Sequence, residues 1–270
     1  MTEDSLIEAF WQQRQNGVYF PPAYYGKLSI DQSYAIQLGL IARRCAAGEK
    51  QIGWKVGLTA PAIQQQFGFH EPVFGCVLES QPSGHVFEPN SLIAPGFENE
   101  LCMRLRVDLS GTVSLEEARA AIDVVYPALE IIETRGPFTE QIALALADNA
   151  QQKTVILGEP TALPADLAAI EARVSIDGAI VATGSGDAVL GNPLNSVVWL
   201  AGKLGAYGRR LKAGEIVMTG SFTRQFPIAP RHPHRNRVRR HWRGAYRDGG
   251  LTSPGKWLAR ERINQLPAFG

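Results

Sequence analysis

The sequence predicts a mixed, strand-rich α+β chain with a helical N-terminal portion. Three observations predict it: apolar residues at helical spacing before residue 50, short apolar runs cut by Gly and Pro clusters after it, and a two-residue hairpin signal at Asp177-Gly178. Residues 4–17 carry apolar positions at a 3.6-residue period, and Gly17 followed by Pro21-Pro22 ends them. A second helix is expected from Ser29 to Ala47, with Asp31 near its start and Gly48 as its stop. Strands are expected at Ile52–Gly57, Val73–Leu78, Leu101–Val107 and Ala128–Ile132. Asp177-Gly178 lies between Arg173-Val-Ser-Ile176 and Ala179-Ile-Val-Ala182, the pattern of a tight hairpin turn. A last helix is expected at Pro193–Tyr207, capped by Asn192, and a last strand at Ile216–Gly220.

Composition narrows the function class. The 270 residues are 45% hydrophobic and 20% charged, values of an ordinary globular chain with a buried core. No apolar run nears the roughly 20 residues that span a bilayer. The acidic start Met1-Thr-Glu-Asp-Ser5 lacks the order of a secretion signal, so a cytoplasmic protein without membrane contact is expected. Cys45, Cys76 and Cys102 form no close pair, which argues against a disulfide framework and a zinc knuckle. The net charge of +1 hides a step: residues 231–270 hold ten basic and two acidic side chains, and the rest is net acidic.

Three carboxylates stand out. Glu98 and Glu100 are two apart, so on a strand both point to one face. Glu130 sits between Leu129 and Ile131, where burying an unpaired charge is costly. Three converging carboxylates repel one another unless a hard divalent cation lies between them, and oxygen donors favour magnesium or manganese. The alternative for each is a solvated strand face or a surface ion pair, and spacing does not show that the segments meet. Lys55, in Ile52-Gly-Trp-Lys-Val-Gly57, is a candidate acid or base if it lies in a desolvated pocket. On spacing alone, an edge-strand lysine reaching back to water is the stronger reading. Gly184-Ser-Gly-Asp-Ala-Val189 lacks the third glycine of a dinucleotide loop, and no Gly-x-Ser-x-Gly elbow is present. His70 and His85 have no partner at metal spacing.

Taken in order, Gly53-Trp-Lys-Val-Gly-Leu-Thr59, Pro72-Val-Phe-Gly75, Phe97-Glu-Asn-Glu100, Pro127–Arg135, Asp148-Asn149, Val155-Ile-Leu-Gly158, Leu190-Gly-Asn-Pro-Leu194 and Gly214–Thr223 resemble the 2-keto-4-pentenoate hydratase group. That group, with the 2-oxo-hept-enedioate hydratases and 4-oxalocrotonate decarboxylases, lies within the fumarylacetoacetate hydrolase superfamily. The resemblance covers residues 5–230. It implies a mixed β-roll with residues 1–50 as a helical portion and 51–230 as the metal-binding catalytic part, assembled as a homo-oligomer. It further implies Glu98, Glu100 and Glu130 as ligands of Mg2+ or Mn2+, and Lys55 as the active-site lysine. Ser221, Thr223 and Asp148 are expected to line the substrate pocket. The implied reaction is hydration of a 2-hydroxy-2,4-dienoate, or its 2-oxo tautomer, to a 4-hydroxy-2-oxo acid. Decarboxylation of the 4-oxalocrotonate type and C–C hydrolysis of acylpyruvates rank behind it. Where many hydratases carry Leu-Leu-Asp-Asp, this chain has Val77-Leu-Glu-Ser80, which leaves the distal pocket's substrate open.

The tail departs from the pattern. Relatives continue after a proline like Pro230 with Gly-Asp and a strand ending Gly-x-Val; here the chain reads Arg231-His-Pro-His-Arg-Asn-Arg-Val-Arg-Arg-His-Trp-Arg-Gly244. A permitted set of codons for this stretch, read one base later, gives Gly-Ile-Arg-Ile-Glu-Thr-Glu-Phe-Ala-Gly-Ile-Gly-Ala-Val. The expectation is that a frameshift, in the gene or its sequencing, wrote residues 231–270. Such a tail is expected to be disordered and to uncover apolar surface on the body. The rival is a basic arm for nucleic acid or an acidic partner, supported by charge alone.

Overall fold

The computed structural model describes residues 2–88, 90–228, 239–245 and 259–262, the last two stretches as backbone only. Helix α1 (Glu3–Gln15) is capped by the Thr2 side chain, and α2 (Ile30–Ala46) by a reciprocal box in which Ser29 and Gln32 satisfy each other's backbone N–H. They pack with α5 (Ile142–Ala147) around Leu6, Phe10, Ile36, Leu40 and Leu144. The other face of α2 sends Tyr34 into the main core, where its ring stacks on Phe74 at 4.1 Å. Among the described residues no helix is long and apolar enough to cross a membrane.

One curled sheet holds β1 (Gly53–Gly57), β2 (Val73–Val77), β3 (Ser80–Pro82), β4 (Pro95–Leu105), β5 (Ile122–Glu133), β6 (Gln152–Leu157), β9 (Ile216–Ser221) and β10 (Phe226–Pro227). Its order is β2-β1-β9-β4-β5-β6-β3, with β10 continuing the β9 edge of β4. β1 runs parallel to β9 and β3 to β6; the other pairs are antiparallel. Short helices α3 (Pro61–Gln66) and α4 (Leu115–Ala120) lie in the connections. Helix α6 (Leu194–Gly205), entered through a turn in which the Asn192 side chain accepts from Leu194 N–H, buries Val197, Leu200, Ala201 and Leu204 against the convex face.

The roll is tied shut by a side chain. Asn149, Ala150 and Gln151 take φ of 59°, 48° and 60°, three successive left-handed residues entering β6. There the Asn149 amide accepts from Cys76 N–H at 2.7 Å and donates to Cys76 C=O at 2.8 Å, so it completes the open edge of β2 as a neighbouring strand would.

A second sheet, β12 (Ala259–Arg262)-β11 (Arg239–Ala245)-β7 (Glu171–Ile176)-β8 (Ala179–Ser185), carries the hairpin foreseen at Asp177-Gly178, whose φ of 55° and 85° are those of a two-residue primed turn. β11 and β12 correct the expectation of a wholly disordered tail: β7 offers an open backbone edge, and 239–245 pairs along it. The rest of the tail, with the rival basic arm's other residues, lies outside the described residues.

Candidate metal centre

Alternation along β4 decides which side chains meet. Phe97 and Leu101 face the core; Glu98, Glu100 and Cys102 face the hollow of the roll. The antiparallel register sets Glu98 directly opposite Glu130 on β5. One oxygen from each of Glu98, Glu100 and Glu130 lies within 4.8 Å of the others. Beneath them Val77, Cys102, Ala128, Val155, Ile216 and Met218 form an apolar floor.

That floor governs the electrostatics. Burial, then the charge of Glu130, raises Glu98 to about 7. Glu100 is pushed well above its ordinary value by burial and by both neighbouring carboxylates, against the N–H of Gly220, which donates to its Oε2 at 2.8 Å. Burial also raises Glu130, opposed by Lys55, whose Nζ lies 3.4 Å from Glu130 Oε1 without hydrogen-bond geometry. Glu100 Oε1 and both Glu130 oxygens make no hydrogen bond among the described residues. Buried oxygens left unpaired beside one another are costly in a protein interior. They fit a hard divalent cation, which satisfies several carboxylate oxygens at once and repays their mutual repulsion.

Lys55 is buried, which corrects the edge-strand reading: β1 is covered by β2 on one side and β9 on the other. Two glycines make room for it. A Cβ at Gly57 would stand 3.4 Å from Lys55 Nζ, and one at Gly75 3.3 Å from Lys55 Cε and 3.0 Å from Asn149 C=O. Gly220, at φ 116°, sits in β9 where its register against β4 shifts, and its N–H points at Glu100; a Cβ there would meet Thr59 Oγ1 at 2.5 Å.

The remaining expected pocket residues separate. Ser221 stands opposite Glu100 in the β4–β9 register. The Thr223 hydroxyl donates to Asn99 Oδ1, and Asn99 belongs to the alternate face of β4. Asp148 is buried with one oxygen on Arg14 at 2.9 Å and the other on Arg135, which also pairs with Glu133 at 2.7 Å. This cluster fastens α1 to the end of α5, and both Asp148 oxygens are taken by arginines. Sequence reasoning quoted Asn149 without giving it a task; an asparagine next to a buried aspartate, able to adopt left-handed φ, was the available signal.

The model of the fumarylacetoacetate (FAA) hydrolase C-terminal family matches residues 77–245. The chain belongs to this family. Its curated relatives include the 2-keto-4-pentenoate hydratase of Paraburkholderia xenovorans (strain LB400), 33% identical over 235 residues, which are 84% of this chain and 87% of that one. The 4-oxalocrotonate decarboxylase of Pseudomonas sp. (strain CF600) is 34% identical over 212 residues, covering 76% and 80%. The structure of 4-oxalocrotonate decarboxylase from Pseudomonas putida G7, complexed with magnesium and adipate, superposes with a TM-score of 0.85 at 28% identity, covering 98% of this chain and 99% of that one. Within the family, then, this chain pairs the shared fold with three converging glutamates and a buried lysine.

Proposed function

We propose that the protein is a Mg2+- or Mn2+-dependent hydratase that converts a 2-hydroxy-2,4-dienoate, through its 2-oxo-4-enoate tautomer, to a 4-hydroxy-2-oxo acid in the breakdown of aromatic compounds. The observation that carries this reading is the set of unpaired buried oxygens on Glu100 and Glu130, with Glu98 beside them and the Lys55 ammonium at 3.4 Å. Relatives named hydratases at 33–36% identity, and neighbouring structures complexed with magnesium or calcium, support it.

Glu98, Glu100 and Glu130 would hold the cation, which when bound supplies a Lewis acid for the 1-carboxylate and 2-oxygen of the substrate. Gly220 N–H fixes the Glu100 carboxylate so that its other oxygen stays turned into the hollow. Lys55 carries the proton between the 2-hydroxyl and the chain carbons during ketonisation, held against Glu130 and walled by Gly57 and Gly75. The apolar floor keeps bulk water from the enolate, leaving hydration to water arriving at C4 from the open side. Ser221 stands opposite Glu100 in the register, with its hydroxyl donating to Asn99 C=O at 3.4 Å. The protein acts as a homo-oligomer on a small 2-oxo acid, with no part for nucleic acid.

The neighbouring decarboxylase structure favours a second reading, because loss of CO2 from 4-oxalocrotonate needs the same stabilised enolate. Incubation with manganese and each of 2-hydroxypenta-2,4-dienoate and 4-oxalocrotonate separates the two. A 4-hydroxy-2-oxo acid from the first and no CO2 from the second is expected; CO2 without hydration would put the decarboxylase in its place.

Residues 1–50 serve this site as a helical buttress and 51–230 as the catalytic part, while 231–270 is the product of a shifted frame. DNA sequencing across codons 225–245 is expected to show the displaced base; a single intact frame shared by close relatives would refute it.

A further inference from the structure

The open end of the metal centre is marked by a gradient of exposure. Glu100 and Glu130 are each 1% exposed, Glu98 is partly exposed, and beyond it on the same row of β4 comes Gly96. The β4–β10 register pairs Phe226 with Phe97 and Pro227 with Gly96, and extending it one residue beyond the strand sets Gln225 toward Glu98. Directly opposed residues in an antiparallel pair share a face, which puts Gln225 on the carboxylate side of the sheet. Its side chain folds over Gly96: a Cβ there would meet Gln225 Nε2 at 2.4 Å and its Cδ at 3.1 Å. Gln225 is exposed, and its amide has no hydrogen-bond partner among the described residues. The side chain opposite Gly96 on β5 is Ile132, buried and apolar.

An unpartnered amide therefore stands one alternate-residue step from Glu98, about 7 Å along the strand. That is the reach of a five- to seven-carbon acid whose 1-carboxylate and 2-oxygen lie at the cation. The nearby guanidinium groups are committed elsewhere: Arg135 to Glu133 and Asp148, and Arg224 over the Phe226 ring at 4.1 Å. We propose that Gln225 is a specificity-determining residue whose amide N–H donates to an oxygen at the distal end of the 2-oxo acid, over an apolar wall made by Ile132. The inference rests on the hydratase reading of this centre. It favours substrates with a terminal carboxylate over those ending in a methyl group, because only the former supply an acceptor.

The test compares kcat/KM of the full-length enzyme and of Gln225→Leu and Gln225→Glu on 2-oxo-hept-4-ene-1,7-dioate and on 2-hydroxyhexa-2,4-dienoate. Loss of one hydrogen bond to a charged acceptor is expected to lower kcat/KM for the diacid about tenfold in Gln225→Leu. Gln225→Glu is expected to lower it further by repulsion, and the methyl-ended substrate is expected to stay within about twofold in both. Equal loss on both substrates, or no loss on either, would overturn the proposal. A melting-temperature rise with manganese plus oxalate is read in parallel. If wild type shows that rise and discrimination is unchanged in the variants, this inference alone fails; if wild type shows none, the metal-centre reading fails and takes this one with it.

Discussion

Glu130→Gln is expected to remove most of the rise in melting temperature that manganese plus oxalate gives the wild-type protein. A ligand that binds only the folded state stabilises it by about 2.7 kcal/mol at one hundred times its Kd. Changing the shell around a bound metal costs about 10–100-fold in affinity, and loss of a ligating oxygen costs at least as much. At the same concentrations a hundredfold loss leaves about 0.4 kcal/mol. Without metal the variant loses both a repelling carboxylate and the buried partner of Lys55, two opposed effects on its own melting temperature, so the metal-dependent rise is the readout. A variant that melts lower and still shows the full metal-dependent rise would remove Glu130 from the centre.

The same measurement has a defined pH dependence. Glu98 has its carboxyl raised to about 7 in the fold, against an ordinary value near 4.5, and Glu100 is raised as well. Across that window the metal-free folded state binds more protons than the unfolded chain, so these groups contribute less stability as pH rises. The cation requires them ionised and reverses the trend. The metal-dependent rise should therefore be larger at pH 8 than at pH 5.5; an equal rise at both would show that protons and cation do not compete for these oxygens.

Lys55→Ala is expected to lower kcat by about 10²–10⁴, the range for loss of a positioned proton carrier. The metal-dependent rise in melting temperature is expected to survive, because Lys55 pairs with Glu130 and offers the cation no oxygen. Retention of kcat within a factor of a few would assign the lysine to charge balance alone. Loss of the metal response together with kcat would make its part structural.

How far each part was legible follows from its chemistry. α1, α2, α6 and the β7–β8 hairpin were read nearly to the residue, since caps, stops and the Asp177-Gly178 turn act within a few positions of the chain. β4 and β5 were foreshortened: the sequence reading began the first at Leu101, whereas pairing starts at Pro95. Glu98, Asn99 and Glu100 break the apolar pattern because the inside of the roll gathers carboxylates, so the segment that carries two of them looks least like a strand. β6, α4 and α5 were missed, being short elements held by their neighbours more than by their own periodicity.

By itself the sequence determined the identities and their spacing: two glutamates two apart, a third in an apolar run, a lysine among glycines, and an ordered set of motifs specific enough to name the family. Only the tertiary structure decided that they meet. β1 is separated from β5 by β9 and β4, about 14 Å across a flat sheet, and the curl of the sheet closes that gap until Lys55 lies 3.4 Å from Glu130. Packing between elements distant in the chain likewise sets Asp148 among arginines and Thr223 on Asn99. Such pairings depend on strand register and sheet curvature, which contacts distant in the chain fix jointly and no single segment encodes.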